Sequence, residues 1–161
     1  MLARGPREFV AAAVLWAVIG PLSAWAAQPP PMSGPARCRF AVPEGWSERD
    51  VRWSGPCRAG RAQGRGAVRA YESGKVSRAF YGTLKSGQPV LGVIDQPDGF
   101  VAGRFEQGKV VNDGERNTLI QAFDDASAAA RHVAEGYRKA GNAPSARFYE
   151  DKAKQLANQL D

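Results

Sequence analysis

The sequence predicts an α+β protein in which an antiparallel ribbon of β-hairpins is followed by a C-terminal pair of helices. Two observations support this fold class: glycine recurs at regular spacing between bulky residues up to about residue 111, and alanine dominates from Gln121 onward. The chain has 161 residues, of which 43% are hydrophobic and 24% are charged. This balance is typical of a globular protein, and it excludes both a fully disordered chain and a polytopic membrane protein.

The N-terminus has the pattern of a secretory signal peptide. A short basic segment precedes an uncharged apolar run over residues 9–19, and Ala24-Trp25-Ala26 places small residues where a signal peptidase reads them. We therefore predict a signal peptide over residues 1–26, cleavage near Ala26, and export to the periplasm or the exterior. An uncleaved membrane anchor is the alternative, because the uncharged stretch extends to Ala36.

The mature chain that cleavage would produce is moderately basic. Removal of residues 1–26 leaves 135 residues with 20 basic and 15 acidic side chains, a net charge of +5. Glycine interrupts the nearest approach to a basic stripe, which consists of Arg58, Arg61, Arg65 and Arg69. The charge therefore favours solubility over a concentrated anion-binding surface, and specific binding of nucleic acid is not expected.

Cys38 and Cys57 are the only cysteines, and an oxidising compartment favours a disulfide between them. A reactive thiol would need a base nearby, whereas the only histidine, His132, is distant in the sequence. One histidine and two cysteines are also too few for a zinc site built from these residue types alone. We therefore predict a structural disulfide and no metal or cofactor.

The segment before the glycine-rich region divides into two parts. Residues 27–36 are rich in proline and predict a flexible leader. Residues 37–50 carry three bulky residues among turn formers: Phe40, Val42 and Trp46. We expect this second part to cap the repeats, giving a β domain over residues 37–111.

Three segments share the pattern bulky-x-Gly-x-bulky-x-x-Gly, and they begin 27 and 21 residues apart. They are Trp53-x-Gly55-x-Cys57-x-x-Gly60, which Gly64 and Gly66 extend, Phe80-x-Gly82-x-Leu84-x-x-Gly87, and Val101-x-Gly103-x-Phe105-x-x-Gly108. Alternating bulky residues and glycines leave room for a ring above bare backbone, and the last glycine of each segment permits a hairpin turn. Consecutive hairpins then stack into one antiparallel ribbon.

This spacing resembles that of MORN repeats, whose consensus is roughly Tyr-x-Gly-x-Trp-x-x-Gly-x-x-x-Gly-x-Gly. Residues 53–66 match every glycine of the consensus, although Cys57 replaces an aromatic residue. The second copy has Leu91 where glycine is expected and Gly92 one place late, and the third copy is half a repeat. The resemblance covers about residues 51–111 and implies a module for protein contacts, dimerisation or binding of anionic headgroups, without catalytic residues.

In so short an array the aromatic rings are expected to pack on one another and not to form a ligand platform. The rings concerned are those of Trp53, Phe80, Tyr81, Phe100 and Phe105.

Residues 112–161 predict a helical hairpin. Thr118-x-x-Gln121 is typical of a capping box at a helix start, and apolar residues then recur at helical spacing. Gly141-Asn142 ends the first helix, and Pro144 lies in the first turn of the second. The apolar faces consist of Leu119, Ala122, Phe123, Ala126, Ala130, Val133 and Tyr137, and of Tyr149, Ala153, Leu156, Ala157 and Leu160.

This hairpin is weakly similar to one tetratricopeptide unit, with matches at Tyr137, Gly141, Ala146 and Ala153. Tyr149 is one place early, and Ala130 occupies the position of the first large anchor. A single unit cannot form the peptide-binding groove of such arrays. We therefore expect the helix pair to dock on the sheet or to mediate self-association.

The helices offer little support for catalysis. His132 has Glu135 three residues ahead and Asp125 seven residues behind, a set that could be drawn as a metal or acid-base site. A histidine among charged neighbours is more often a surface residue, however. Asp124 and Asp125 are expected on a solvated helix face.

The sequence thus favours a non-catalytic exported MORN-repeat protein that acts as a protein-binding or scaffolding module in the cell envelope. Its expected partner is another envelope protein or a second copy, with weaker contact to anionic lipid or glycan as an alternative. The competing hypothesis is a carboxylate-dependent hydrolase or glycan-modifying enzyme that uses Asp95, Asp98 and Glu106. Against it, Asp95 and Asp98 flank Gln96-Pro97, which is typical of a turn.

Overall fold

The computed structural model describes residues 30–111 and 113–159. The predicted signal peptide, the first part of the leader, Asn112 and Leu160 therefore lie outside the described residues. Ten strands precede two helices: β1 (Met32–Ser33), β2 (Phe40–Ala41), β3 (Asp50–Ser54), β4 (Cys57–Arg58), β5 (Arg61–Ala62), β6 (Gly64–Glu72), β7 (Lys75–Lys85), β8 (Gln88–Gln96), β9 (Gly99–Glu106), β10 (Lys109–Val111), α1 (Arg116–Lys139) and α2 (Ala143–Ala157). This order confirms the predicted α+β class with a C-terminal helical hairpin.

Six of the strands form one antiparallel sheet in the order β10-β9-β8-β7-β6-β3. Strands β6 to β9 each pair with the next strand along the chain, as expected for stacked hairpins. β4 and β5 form a separate small hairpin between β3 and β6. β3 and β10 are consequently the two edges of the large sheet.

Equivalent positions of the three glycine-containing segments lie in one row across the sheet. Successive cross-strand partners in this row are Trp53, Val68, Phe80, Ile94 and Val101. Trp53, Phe80 and Val101 are the first residues of the three segments, so each segment occupies the same level of the sheet.

A row of glycines lies beside this row, and each member is the cross-strand partner of the next: Gly66, Gly82, Gly92 and Gly103. The ring of Phe80 lies over the middle of the glycine row, because a Cβ atom at Gly82 or Gly92 would be 2.8 Å from its Cζ atom. Phe80 thus covers a glycine of its own strand as well as one of the neighbouring strand. The ring of Phe80 fits here because the glycines beneath it carry no side chains.

The structure explains why Gly92 is displaced by one position in the sequence pattern. The pairing of β7 with β8 contains a bulge between Thr83 and Leu84. The bulge brings Gly92 opposite Gly82, so Gly92 takes the place in the glycine row that the pattern assigned to position 91.

The helices cover one face of the sheet. Side chains from β6, β7 and β8 form a buried cluster with both helices, and its members are Ala67, Ala79, Tyr81, Val93, Phe123, Ala126, Ala130, Val133, Ala134, Tyr149, Ala153 and Leu156. The hairpin therefore docks on the sheet, one of the two arrangements predicted for it. Two of the predicted ring residues lie on this face, where Tyr81 contacts Tyr149 and Phe100 contacts Phe123.

The N-terminal segment covers the opposite face. Phe40 is buried there in a cluster with Cys38, Val68, Phe80, Leu84, Ile94 and Phe105. The rings of Phe80 and Phe105 meet edge to face at 5.2 Å. Cys38 of this cluster and the exposed Cys57 form the predicted disulfide, with Cα atoms 5.6 Å apart.

Backbone hydrogen bonds join the N-terminal segment to the turn of each repeat. The amides of Arg39, Ala41 and Glu44 donate to the carbonyls of Gly60, Gly87 and Gly108, respectively, over 2.7–2.8 Å. The carbonyl of the last glycine in each segment thus accepts a hydrogen bond from a backbone amide of the N-terminal segment. The N-terminal segment therefore runs across the three hairpin turns and links them by hydrogen bonds.

Three local expectations were wrong. Met32–Ser33, in the predicted flexible leader, pairs with Phe40–Ala41, so the folded part begins before residue 37. Thr118 does not cap α1: the helix begins at Arg116, and the Thr118 hydroxyl instead donates to a carboxylate oxygen of Asp113. Leu119 and Ala157, which were predicted on the apolar faces of the two helices, are exposed. The face of α1 that packs on the sheet, and the face of α2 that packs on α1, are each narrower than the predicted apolar face.

Candidate functional site

A partly buried arginine on the helix-covered face is the centre of the candidate site. Strand alternation directs Arg65, Ala67, Arg69 and Tyr71 of β6 towards the helices. The Nη2 atom of Arg69 donates to the Ser54 hydroxyl at 3.0 Å and to the Tyr137 hydroxyl at 3.1 Å. Arg69 therefore connects β6 with the edge strand β3 and with the C-terminal half of α1.

All four tyrosines of the chain lie around this guanidinium group. The rings of Tyr71 and Tyr149 each have their centroid 5.6 Å from its Cζ atom, a cation–π distance. Tyr137 stacks on Tyr149 with centroids 5.5 Å apart, and Tyr81 meets Tyr149 edge to face. The tyrosines surround the charge with polarisable faces and supply no formal negative charge.

The charge states of these groups follow from their burial. Burial raises the pKa of Tyr81 and of Tyr149 well above the ordinary value, so both phenols stay neutral. Burial opposes the charge on Arg69, but the interactions of Arg69 with Tyr149, Tyr137 and Tyr71, including the hydrogen bond to Tyr137, together outweigh burial and raise the pKa of Arg69. The guanidinium is therefore a cation among neutral rings.

A second arginine lies next to it. Arg52 on β3 is the cross-strand partner of Arg69, and its Cζ atom is 4.4 Å from the centroid of the Tyr71 ring. Asp50 accepts two hydrogen bonds from Arg52, at 2.9 and 2.7 Å. Among the described residues no carboxylate is within ion-pair distance of Arg69. Of these two adjacent guanidinium groups, only that of Arg52 has a carboxylate partner among the described residues.

A cavity of about 340 Å³ opens between the edge strand and α1. Its lining residues are Ser54, Gly55, His132, Val133, Gly136, Tyr137 and Ala140. Ser54 and Tyr137, whose hydroxyls accept hydrogen bonds from Arg69, therefore both line the cavity. A Cβ atom built on Gly136 would meet no atom within 4 Å, so the helix has room for a side chain where it carries none.

A second cavity, of about 270 Å³, lies on the other face of β3 beside the disulfide. Its wall includes Val51 and Trp53 of the strand, Cys38 and Cys57, and Gly55, which also lines the first cavity. The edge strand thus has an open cavity on each face. No other strand of the described part of the chain pairs with its outer side, so half of its backbone N–H and C=O groups point outward.

The structure separates the residues of the proposed histidine site. His132 is exposed and lines the first cavity. Asp125 was expected on a solvated face, which is wrong: it is 8% exposed, and it accepts a hydrogen bond from Nε of Arg65 at 2.8 Å. Asp125 therefore anchors α1 to β6. Within residues 30–111 and 113–159, no group of three or more histidine, cysteine or acidic residues could hold a metal ion.

The three carboxylates of the competing hydrolase hypothesis do not converge. Asp95 is not simply a turn residue, because it forms an ion pair with Lys152 of α2 at 2.7 Å. Asp98 lies in the exposed turn before β9, and Glu106 ends that strand at the other end of the sheet. None of them lines a cavity described above. This separation removes the observation on which that hypothesis depended.

The surface between the two helices is a further groove. Small residues, including Ala134, Ala153 and Ala157, line it, and an ion pair between Arg138 and Glu150 spans it. Both members of this ion pair line the groove.

Comparison of the chain with protein-family models, with curated proteins and with solved structures gave no match. Neither helix of the described residues has an apolar stretch long enough to cross a bilayer.

The sequence pattern did not indicate the cluster around Arg69. Four tyrosines are spread over residues 71–149, and only the fold brings them together. One signal was present: the alternation of Arg65, Ala67, Arg69 and Tyr71 directs arginines and small or aromatic residues to one face. Such alternation indicates that a charged side chain shares a face with the core.

Proposed function

We propose that this protein is an exported, non-catalytic protein-binding module of the cell envelope, built on MORN-like repeats, and that it binds an extended segment of another envelope protein at β3. The observation that carries this proposal is the outer edge of β3, with which no strand of residues 30–111 or 113–159 pairs and which has a cavity on each face. A strand added to such an edge gains main-chain hydrogen bonds, while its alternate side chains enter the two cavities.

The rest of the fold supports this choice of surface. Both faces of the large sheet are covered, one by the helices and the other by the N-terminal segment. The opposite edge, β10, has only three residues. β3 is therefore the surface of the sheet that is best suited to a partner.

Export is supported by the disulfide and by the N-terminal sequence. The bond between Cys38 and Cys57 joins the covering segment to the first repeat, and such bonds persist in oxidising compartments. The basic segment followed by an apolar run before Ala26 favours delivery to the periplasm or the exterior.

Site-specific photocrosslinking in the intact envelope tests the proposal. A photoreactive amino acid at Arg49, exposed and immediately before β3, should yield a crosslink to one partner. The matched control is the same amino acid at Lys109, exposed on the opposite edge strand, which should not yield that product. Equal products from both positions, or none from position 49, would contradict binding at β3.

The same experiment separates the alternatives for the partner. If crosslinks form from both position 49 and position 109 at low salt and disappear at high salt, the partner is a non-specific anionic surface, because salt screens the attraction between exposed charges. A crosslinked product of twice the mass of the chain would indicate a second copy in place of a different protein.

A further inference from the structure

We propose that Arg69 and Arg52 form a carboxylate-binding site that recognises an acidic side chain of the segment bound at β3. This inference rests on the proposed function and names the chemistry of the partner. The site comprises the two guanidinium groups, the hydroxyls of Ser54 and Tyr137, and the adjoining cavity of about 340 Å³.

The charge balance of the site is the first reason. Arg52 and Arg69 are directly opposite each other on adjacent strands, an arrangement in which like charges repel. Asp50 neutralises one of them through two hydrogen bonds. A second carboxylate would neutralise the other, and the described residues do not supply it.

The unsatisfied polar groups are the second reason. The Nε atom of Arg69 is buried and has no hydrogen-bond partner among the described residues. The hydroxyls of Ser54 and Tyr137 accept hydrogen bonds from Arg69, so their own protons are available to an incoming anion. A carboxylate placed here would accept from the hydroxyls while it neutralised the arginine.

The register of an added strand is the third reason. Asp50, Arg52 and Ser54 of β3 are on the helix-covered face, because Val51 and Trp53 pack on the opposite face. A strand alongside β3 would direct every second side chain to that same face. The Cβ atom of the side chain opposite Arg52 would then be about 5 Å from that of Arg52, and Arg69 is one strand further on, so a glutamate side chain would extend past Arg52 towards Arg69.

Gly136 supports a ligand in the cavity. Glycine inside a helix is less favourable than alanine. Close packing does not explain the glycine at position 136, because a Cβ atom there would have no neighbouring atom within 4 Å. The absence of a side chain keeps the cavity open beside Ser54 and Tyr137.

The test uses the mature chain and three probes followed by NMR through the side-chain Nε–H signals of the arginines. The probes are sodium acetate, sodium phosphate, and an acetylated, amidated six-residue peptide with alternating valine and a central glutamate, compared with its glutamine counterpart. We expect acetate to shift the Arg69 signal saturably. We expect the glutamate peptide to bind about 10-fold more tightly than the glutamine peptide, as for a charge-assisted hydrogen bond.

Two substitutions and one matched control complete the test. Arg69→Gln should abolish the preference for glutamate, and Arg69→Lys should retain only part of it, because lysine lacks the planar fork. Arg65→Gln is the control, since Arg65 is on the same strand and face but is bound to Asp125. Should Arg69→Gln fail to fold, Gly136→Leu fills the cavity, leaves both arginines in place, and should block the acetate shift.

The outcomes distinguish this inference from the proposed function. If both peptides shift the β3 amides with equal affinity, the edge binds a strand but the carboxylate site is wrong. If phosphate binds as tightly as acetate, the site is a general anion site and the inference is overturned. If no probe shifts Arg69 while position 49 still crosslinks a partner, the proposed function stands without the carboxylate. If acetate shifts Arg69 but neither peptide shifts β3, edge binding is contradicted and the carboxylate chemistry is supported.

Discussion

Phe80 and Gly92 meet across two paired strands: a Cβ atom at Gly92 would lie 2.8 Å from Cζ of Phe80 and would overlap the carbonyl oxygen of Tyr81. The ring and the bare backbone are therefore complementary, and neither can change alone. The same relationship holds between Trp53 and Gly66 one repeat earlier. These contacts make the repeats a rigid frame that holds β3 and its two cavities in place.

Gly92→Ala should destabilise the protein strongly, by about 3 kcal/mol, because the added methyl group would overlap backbone on the neighbouring strand and force the sheet apart. Urea denaturation followed by far-UV circular dichroism measures the change in the free energy of unfolding. A loss below about 0.5 kcal/mol would show that the close approach of strand and ring is not required.

Gly136→Ala should have the opposite effect. The new methyl group meets open space and α1 gains a better helix former, so the free energy of unfolding should rise by about 0.5–1 kcal/mol. The same denaturation experiment measures it, with Gly92→Ala as the contrasting glycine substitution. A destabilised Gly136→Ala variant would mean that the cavity beside Tyr137 is filled in the native protein.

Removal of the disulfide should cost about 3 kcal/mol, because Cys38 and Cys57 are 19 residues apart and their bond restricts the unfolded chain. The double variant Cys38→Ser/Cys57→Ser is compared with the wild-type protein under oxidising and reducing conditions. Reduction should lower the thermal midpoint of the wild type only. An equal response of both proteins to the reductant would contradict the assignment.

Glu48 should make stability dependent on pH. Burial raises its pKa, but hydrogen bonds from its own backbone N–H and from the Ser77 hydroxyl, together with the charge of Arg78, outweigh burial and hold the pKa below its ordinary value of 4.5. Because the folded state lowers this pKa, the ionised carboxylate stabilises the protein above the ordinary value. That contribution is lost as the pH falls through the lowered pKa.

The substitution Glu48→Gln isolates this contribution. The difference in the free energy of unfolding between the wild type and the variant should be constant near neutral pH and should shrink as the pH falls below 4.5. Urea denaturation at a series of pH values measures it. A difference that does not vary with pH would show that Glu48 has the same pKa in the folded and unfolded states.

Much of the fold could be predicted from local patterns. The hairpin ribbon followed from the spacing of glycines and bulky residues, the end of α1 from Gly141, the start of α2 from Pro144, and the disulfide from the count of cysteines. Each of these features depends on residues close in sequence or on a single pairing. Backbone conformation and side-chain periodicity are properties of short segments, so they can be read without knowledge of the packing.

The candidate site could not be predicted in the same way. Arg69 meets Ser54 and Tyr137 from 15 and 68 positions away, and Asp125 meets Arg65 from 60 positions away. These contacts exist only because α1 crosses the sheet at one particular angle and rotation. Amphipathic spacing determines that α1 has a buried face, but it does not determine which strand residues that face meets.

The chain's own pattern of glycines, rings, cysteines and helix-ending residues thus defines the elements and their order, because each depends on local conformation. The tertiary structure alone determines that Arg52 and Arg69 lie side by side at an edge strand and that, among the described residues, only Arg52 is paired with a carboxylate. Burial and charge balance are properties of neighbours in space, and the neighbours of Arg69 come from four separate segments of the chain.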